Sequence, residues 1–192
     1  MRTHRGSGPA GVQTYAIMIA AVWTVAFGLS LISNSIREKD GAREAALATA
    51  RAAFAEDVQY RRWSAGHGGV YAPVSDSTPP NPYLAHVEER DIETPSGRKL
   101  TLINPAYMTR QVHELGRSID GLRGHITSLN PIRPGNAPDP WEKTALQTIH
   151  DGEPEVHRLK EMEGRSYLRL MRPLIAEKGC LQCHARQGYE EG

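Results

Sequence analysis

An α+β domain carried behind one membrane-spanning helix is the fold class this sequence predicts, on three observations. No charged residue interrupts 12–32, and apolar residues recur at helical spacing within 105–122 and 140–150. Two pairs of short apolar segments, each pair joined by a turn containing Gly97 or Gly164, flank those helices in the order strand, strand, helix, helix, strand, strand. The 192 residues suffice for one domain of ordinary size plus an anchor. With 23 basic and 22 acidic residues the net charge is +1, so no electrostatic case exists for a nucleic-acid partner. Mean hydropathy is −0.50. The bulk is therefore polar, and its apolar residues are concentrated locally.

Residues 1–11 are short and basic, with Arg2, His4 and Arg5. The stretch 12–32 is long enough to cross a bilayer as a helix. A cleaved secretory signal is the competing reading, but the apolar run exceeds the usual length and Ser33-Asn34-Ser35 makes a poor cleavage site. Arg2 and Arg5 have no acidic neighbour, which places 1–11 in the cytoplasm and 33–192 outside. Residues 33–63 read as an extracytoplasmic connecting helix, regular from 36, with Leu47, Ala50, Phe54 and Val58 at helical spacing. That thin stripe suits packing on its own domain or pairing with a second copy in a homodimer.

The domain proper is expected over 64–192. It opens on an expected irregular loop, 66–83, broken by Gly66, Gly68, Gly69, Pro73, Pro79, Pro80 and Pro82. His67, between glycines that let backbone approach a flat ligand, is a candidate metal ligand. Strands follow at 89–94 and 98–103 across Pro95-Ser96-Gly97. Asn104-Pro105 caps a helix whose stripe is Met108, Val112, Leu115, Ile119 and Leu122. Met108 is a core residue or a thioether donor. After a second loop, 126–140, Asp139-Pro140-Trp141-Glu142 begins a helix with a capping box, and Trp141, Ala145 and Ile149 face one way. Strands at 156–161 and 165–174 close the pattern, Pro173 ending the pairing.

Chemistry is concentrated in Cys180-Leu181-Gln182-Cys183-His184. Two thiols three apart can form thioethers with one porphyrin edge while the adjacent imidazole turns under the ring to bind iron, which is the attachment signature of c-type haem. The chain has 2 Cys, and both lie in this motif. A thioredoxin-like pair belongs at the front of a βαβ unit, not beside the end of this sequence. A structural zinc would need further ligands, and His150 and His157 are irregularly placed for it. Arg110, His113 and Glu114 share a helical face, but charged helical faces are mostly just solvated, and no enzyme activity is expected.

Seven blocks in order, WSAGHGGVY (63–71), PPNPY (79–83), LINPAYMTR (102–110), ITSLNP (126–131), NAPD (136–139), YLRLMRP (167–173) and CLQCHA (180–185), give the chain a resemblance. From Val58 to Tyr189 it resembles the c-type-haem, PAS-like periplasmic sensor domain at the front of bacterial histidine kinases, diguanylate cyclases and chemoreceptors. The resemblance implies a PAS-like antiparallel sheet flanked by helices and one covalent haem c, held by Cys180 and Cys183 and ligated proximally by His184. It leaves the distal iron ligand open between His67 and Met108. It also implies a Gly-rich strand, a second crossing and an output module beyond residue 192, so the sequence is expected to be a short member or a piece of a longer receptor.

The expected function is a periplasmic haem sensor anchored in the inner membrane by a single pass, taking a redox or diatomic-gas input. A membrane-anchored monohaem cytochrome serving a redox partner is the alternative.

Overall fold

A computed structural model describes residues 9–116, 122–162 and 164–192. Arg2, His4, Arg5 and Ile119, used above, lie outside them. Helix α1 runs unbroken from Pro9 to Gly66. Near its start is an 18-residue window of mean hydropathy 2.1, none of it buried, with Val22 and Trp23 exposed. It is long and apolar enough to cross a membrane. Gly28 and Gly41, weak points in any helix, do not interrupt it.

The chain divides into two compact units between Ala48 and Thr49, so the last turns of α1 belong with the domain. The helix stops where left-handed backbone begins. Gly68 and Gly69 take φ of 72° and 98°, and the Gly69 and His67 N–H groups both donate to the Ser64 carbonyl. A Cβ on Gly69 would lie 2.8 Å from Leu102 Cδ1, so glycine there also permits close approach to the next strand pair.

That approach corrects the expected irregular loop. Val70–Pro73 forms β1, paired antiparallel with β3 (Lys99–Ile103) in the register Val70↔Ile103 and Pro73↔Leu100. β1 is short enough for Pro73 to end it, and a second proline cluster is absorbed in a 3₁₀ turn, Pro82–Leu84, capped by Asn81. β2 (Asp91–Glu93) lies on the other side of β3, joined to it through the turn in which Gly97 has φ of 81°. The order β1-β3-β2 places β3 centrally, which explains why Thr101, Leu102 and Ile103 are buried. Thr101 Oγ1 satisfies itself by donating to Asp91 Oδ1 at 2.7 Å.

α2 spans Pro105–Gly116, and Asn104 Oδ1 accepts from Tyr107 N as the sequence predicted. Its expected apolar stripe is not what it buries. Val112 and Leu115 are 52% and 68% exposed, and Leu122 lies outside the helix; Tyr107 and Thr109 are buried instead. Polar contacts locate this helix: Tyr107 Oη donates to the Pro79 carbonyl at 2.8 Å, and His113 Nε2 meets Asp57 Oδ2 of α1 at 2.7 Å.

α3 (Pro140–His150) begins with the expected capping box, Glu142 N donating to Asp139 Oδ1 and Asp139 N to Glu142 Oε2, both at 2.8 Å. It packs on a second, separate antiparallel sheet of two strands, β4 (Val156–Met162) and β5 (Arg165–Met171), with Gly164 at φ 73° in the turn. The fold is thus α+β, with two small sheets rather than one among the described residues. Arg169 of β5 is largely buried, held by two carboxylates at the start of α3: Nη1 to Asp139 Oδ2 at 2.7 Å and Nη2 to Glu142 Oε1 at 3.1 Å. Its guanidinium also lies 4.2 Å over the Trp141 ring.

Candidate functional site

Cys180 ends a 3₁₀ turn, Lys178–Cys180, and Leu181–His184 is a single helical turn, α4. The helical twist places Cys183 and His184 together on the wall of a cavity of about 350 Å³, while Cys180 lies outside its lining. Both thiols are half-buried and free. Burial pushes the Cys183 thiol up from its usual range; Arg186 opposes this and Cys180 adds to it.

The segment is fixed to the domain from two sides. Arg62 of α1 donates to Glu177 Oε1 at 2.6 Å. A Cβ on Gly179 would come within 3.1 Å of Ala65 Cβ, so this glycine lets the segment lie close against α1. On the far side, Gln187 Nε2 donates to the Asn130 carbonyl at 2.8 Å, and Ser128 Oγ and Tyr189 Oη lie 2.9 Å apart. The same Gln187 orients the histidine. His184 Nδ1 is 2.6 Å from Gln187 Oε1, an acceptor, so Nδ1 carries the proton and Nε2 keeps its lone pair.

Across the cavity are apolar groups, Leu84, Ile126, Pro131 and Ile132, with Tyr107. Arg61 completes it with an unusual feature: its Nη1 is buried and has no hydrogen-bond partner among the described residues. Burial lowers the Arg61 pKa from its usual range, with Cys180 and Asp57 acting in the opposite sense. A buried guanidinium nitrogen without a partner is a ready donor for an anionic oxygen.

The two other candidate ligands are not brought to this cavity. His67 is exposed just past α1, its ring turned back on Trp63 with centroids 4.5 Å apart and Nδ1–H donating to the Trp63 carbonyl at 2.7 Å. Met108 is half-buried in α2 and is not among the residues this helix gives to the cavity, which are Ala106, Tyr107, Arg110, His113 and Glu114. The cavity instead holds His113 and His125. His113, read from the sequence with Arg110 and Glu114 as part of a solvated helical face, lines the cavity together with both of them; His125 has no local motif and Arg61 is one arginine among several in α1, so single-sequence patterns could not single those two out. No group of three or more His, Cys, Asp or Glu able to hold a metal ion occurs among the described residues.

A family model described as Tll0287-like matches residues 37–191. The chain belongs to the Tll0287-like family. The match takes in every cavity-lining residue named here, from Arg61 to His184, so the site lies wholly within the part of the chain that the Tll0287-like family defines. No curated protein and no solved structure matches the chain.

Proposed function

We propose that this Tll0287-like chain is a membrane-anchored, periplasmic c-type haem protein acting as the input domain of a sensor. One observation carries the proposal: Cys183, a His184 whose Nδ1 meets Gln187, and Arg61 all line one cavity. This donor set fits a thioether-linked, carboxylate-bearing porphyrin. Cys180 and Cys183 would hold it, His184 Nε2 would bind iron and Arg61 would pair with a carboxylate. The cavity volume falls within the range for sites of small organic ligands. Haem, when bound, supplies a redox-active iron with an exchangeable axial position.

The α+β architecture, with its antiparallel strands and flanking helices, accommodates the PAS-like reading. Sensing is favoured over electron transfer by the contacts of the attachment segment. Arg62 and Ala65 touch it, and both stand on α1, the helix that also contains the apolar stretch. A change of axial ligand that repositions α4 thereby acts on a membrane helix, and its size is set by the difference in affinity between two states.

Absorption spectra of the ferrous protein with and without carbon monoxide test this. A carbon monoxide adduct is expected. Its absence, with fast reduction by a quinol or a cytochrome, would replace the sensor with an electron carrier.

A further inference from the structure

Three imidazoles line the cavity, those of His113, His125 and His184, and they differ in what holds them. His184 belongs to the attachment segment. His125 lies between two acceptors, Glu142 Oε1 at 2.9 Å and the Gly135 carbonyl at 3.3 Å. His113 instead meets a carboxylate on α1: its Nε2 is 2.7 Å from Asp57 Oδ2, and its side chain is 15% exposed against 39% for His125. A carboxylate accepts, so Nε2 carries a proton and Nδ1 is the position that gains or loses one. That edge of the ring is packed on Gly124, where a Cβ would come within 2.0 Å of Nδ1, so glycine is what admits the ring there.

The surroundings narrow what can respond near neutral pH. Arg61 of α1, Arg110 of α2 and Arg133 of the stretch that follows keep their charge throughout, because a guanidinium does not deprotonate in proteins. Asp57 and the exposed Glu114 carry carboxyls, a class that ordinarily titrates well below neutrality. On the haem reading Cys180 and Cys183 are thioethers and His184 binds iron, so none of the three takes up a proton. Imidazole is the side chain that changes charge between about pH 5 and pH 8. Of the two that are left, His125 is the more exposed and water screens it more, whereas His113 has a counter-charge in contact and Arg61 one turn further along the same helix.

We infer that the His113–Asp57 pair is a proton-binding site coupled to the iron; this rests on the haem reading above. When ferric iron takes one electron from a quinol or a cytochrome, the cavity gains a negative charge and the pair takes one proton from hydronium, whose O–H bond breaks as an N–H bond forms at His113 Nδ1. Each event favours the other. Two unit charges about 10 Å apart at an effective dielectric of about 20 alter one another's equilibria roughly tenfold. Asp57 stands on α1, so the proton is taken up against the helix that also contains the apolar stretch.

Spectroelectrochemical titration of the haem-loaded protein between about pH 5 and pH 9 tests this. The midpoint potential is expected to fall as pH rises, by about 59 mV between its acid and alkaline plateaus, which is the tenfold coupling converted for one electron. His113→Gln keeps its covalent haem and loses the fall. Asp57→Asn, which removes the counter-charge and keeps the imidazole, moves the sloping range about tenfold in proton concentration toward acid. A wild-type potential that does not vary with pH overturns the inference. So does a fall retained in His113→Gln, which would assign it to His125 or to a haem carboxylate. If His113→Gln does not accumulate, Asp57→Asn decides, and a curve identical to wild type overturns the role of the pair. Failure of the haem reading is a different result, the absence of any haem-stained band in the wild-type protein.

Discussion

His184 and His125 line the same cavity, yet they are held in opposite ways. His184 sits in a run of five residues whose chemistry is readable from spacing alone, and its Nδ1 partner, Gln187, is three residues away. His125 lies on a stretch without helix or strand, and its partner, Glu142, reaches it only because α3 begins with a capping box and packs beside β5. The difference teaches that a covalent attachment site must be local in sequence, since one porphyrin edge must meet both thiols. An opposing group can be supplied by any element that folds against it.

The largest effect falls on the local side. Cys180→Ser with Cys183→Ser removes both thioether positions, and covalent haem is expected to vanish from denaturing gels while the apoprotein remains detectable by immunoblot.

On the distant side the expected losses are smaller and thermodynamic. Asp139→Ala removes the α3 cap, typically about 1 kcal/mol, and takes from the largely buried Arg169 one of its two carboxylates. A total of about 2 kcal/mol corresponds to a Tm lower by roughly 4–8 °C, readable by circular dichroism.

Acid separates the regions further. Burial raises Asp139, but the Arg169 hydrogen bond and the Glu142 N–H together outweigh it, and the net pKa is lowered. Asp91 is lowered by hydrogen bonds from Arg90 and Thr101, and Glu155 chiefly by one from Arg51. A depressed carboxylate stabilises the fold above its unfolded pKa of roughly 4, and that stability is lost as pH falls through the folded value. Chemical denaturation midpoints are therefore expected to be flat in pH above about 5 and to decline below about 4, less steeply in Asp139→Ala.

The smallest effect is expected at Val112. Although it sits on the helical stripe, its exposure predicts a change within about 0.5 kcal/mol for Val112→Ser in the same denaturation assay. A loss above about 2 kcal/mol would show that the stripe is covered in solution.

Much of the fold was legible because its signals are local. The apolar run of α1, the Asn104 cap, the Asp139–Glu142 box and the turns at Gly97 and Gly164 each depend on neighbours within a few residues. β1 was not legible, since its four residues gain strand geometry only by pairing with Leu100–Ile103, some thirty residues on. Glu142 was legible as a capping residue, but nothing local showed that it also pairs with Arg169 of β5. Met108 headed an apolar stripe, and only the positions of Arg110 and Tyr107 show that the cavity is on another face. The attachment motif was thus written in the sequence, and the cavity's opposite wall was not.

The central claim is a porphyrin bound covalently by Cys180 and Cys183 in this cavity. Expressing the wild-type chain with cytochrome maturation machinery and staining a denaturing gel for haem peroxidase activity tests it directly. A stained band at about 21 kDa with a Soret absorbance in the purified protein is predicted. An unstained band of abundant, folded protein would contradict it.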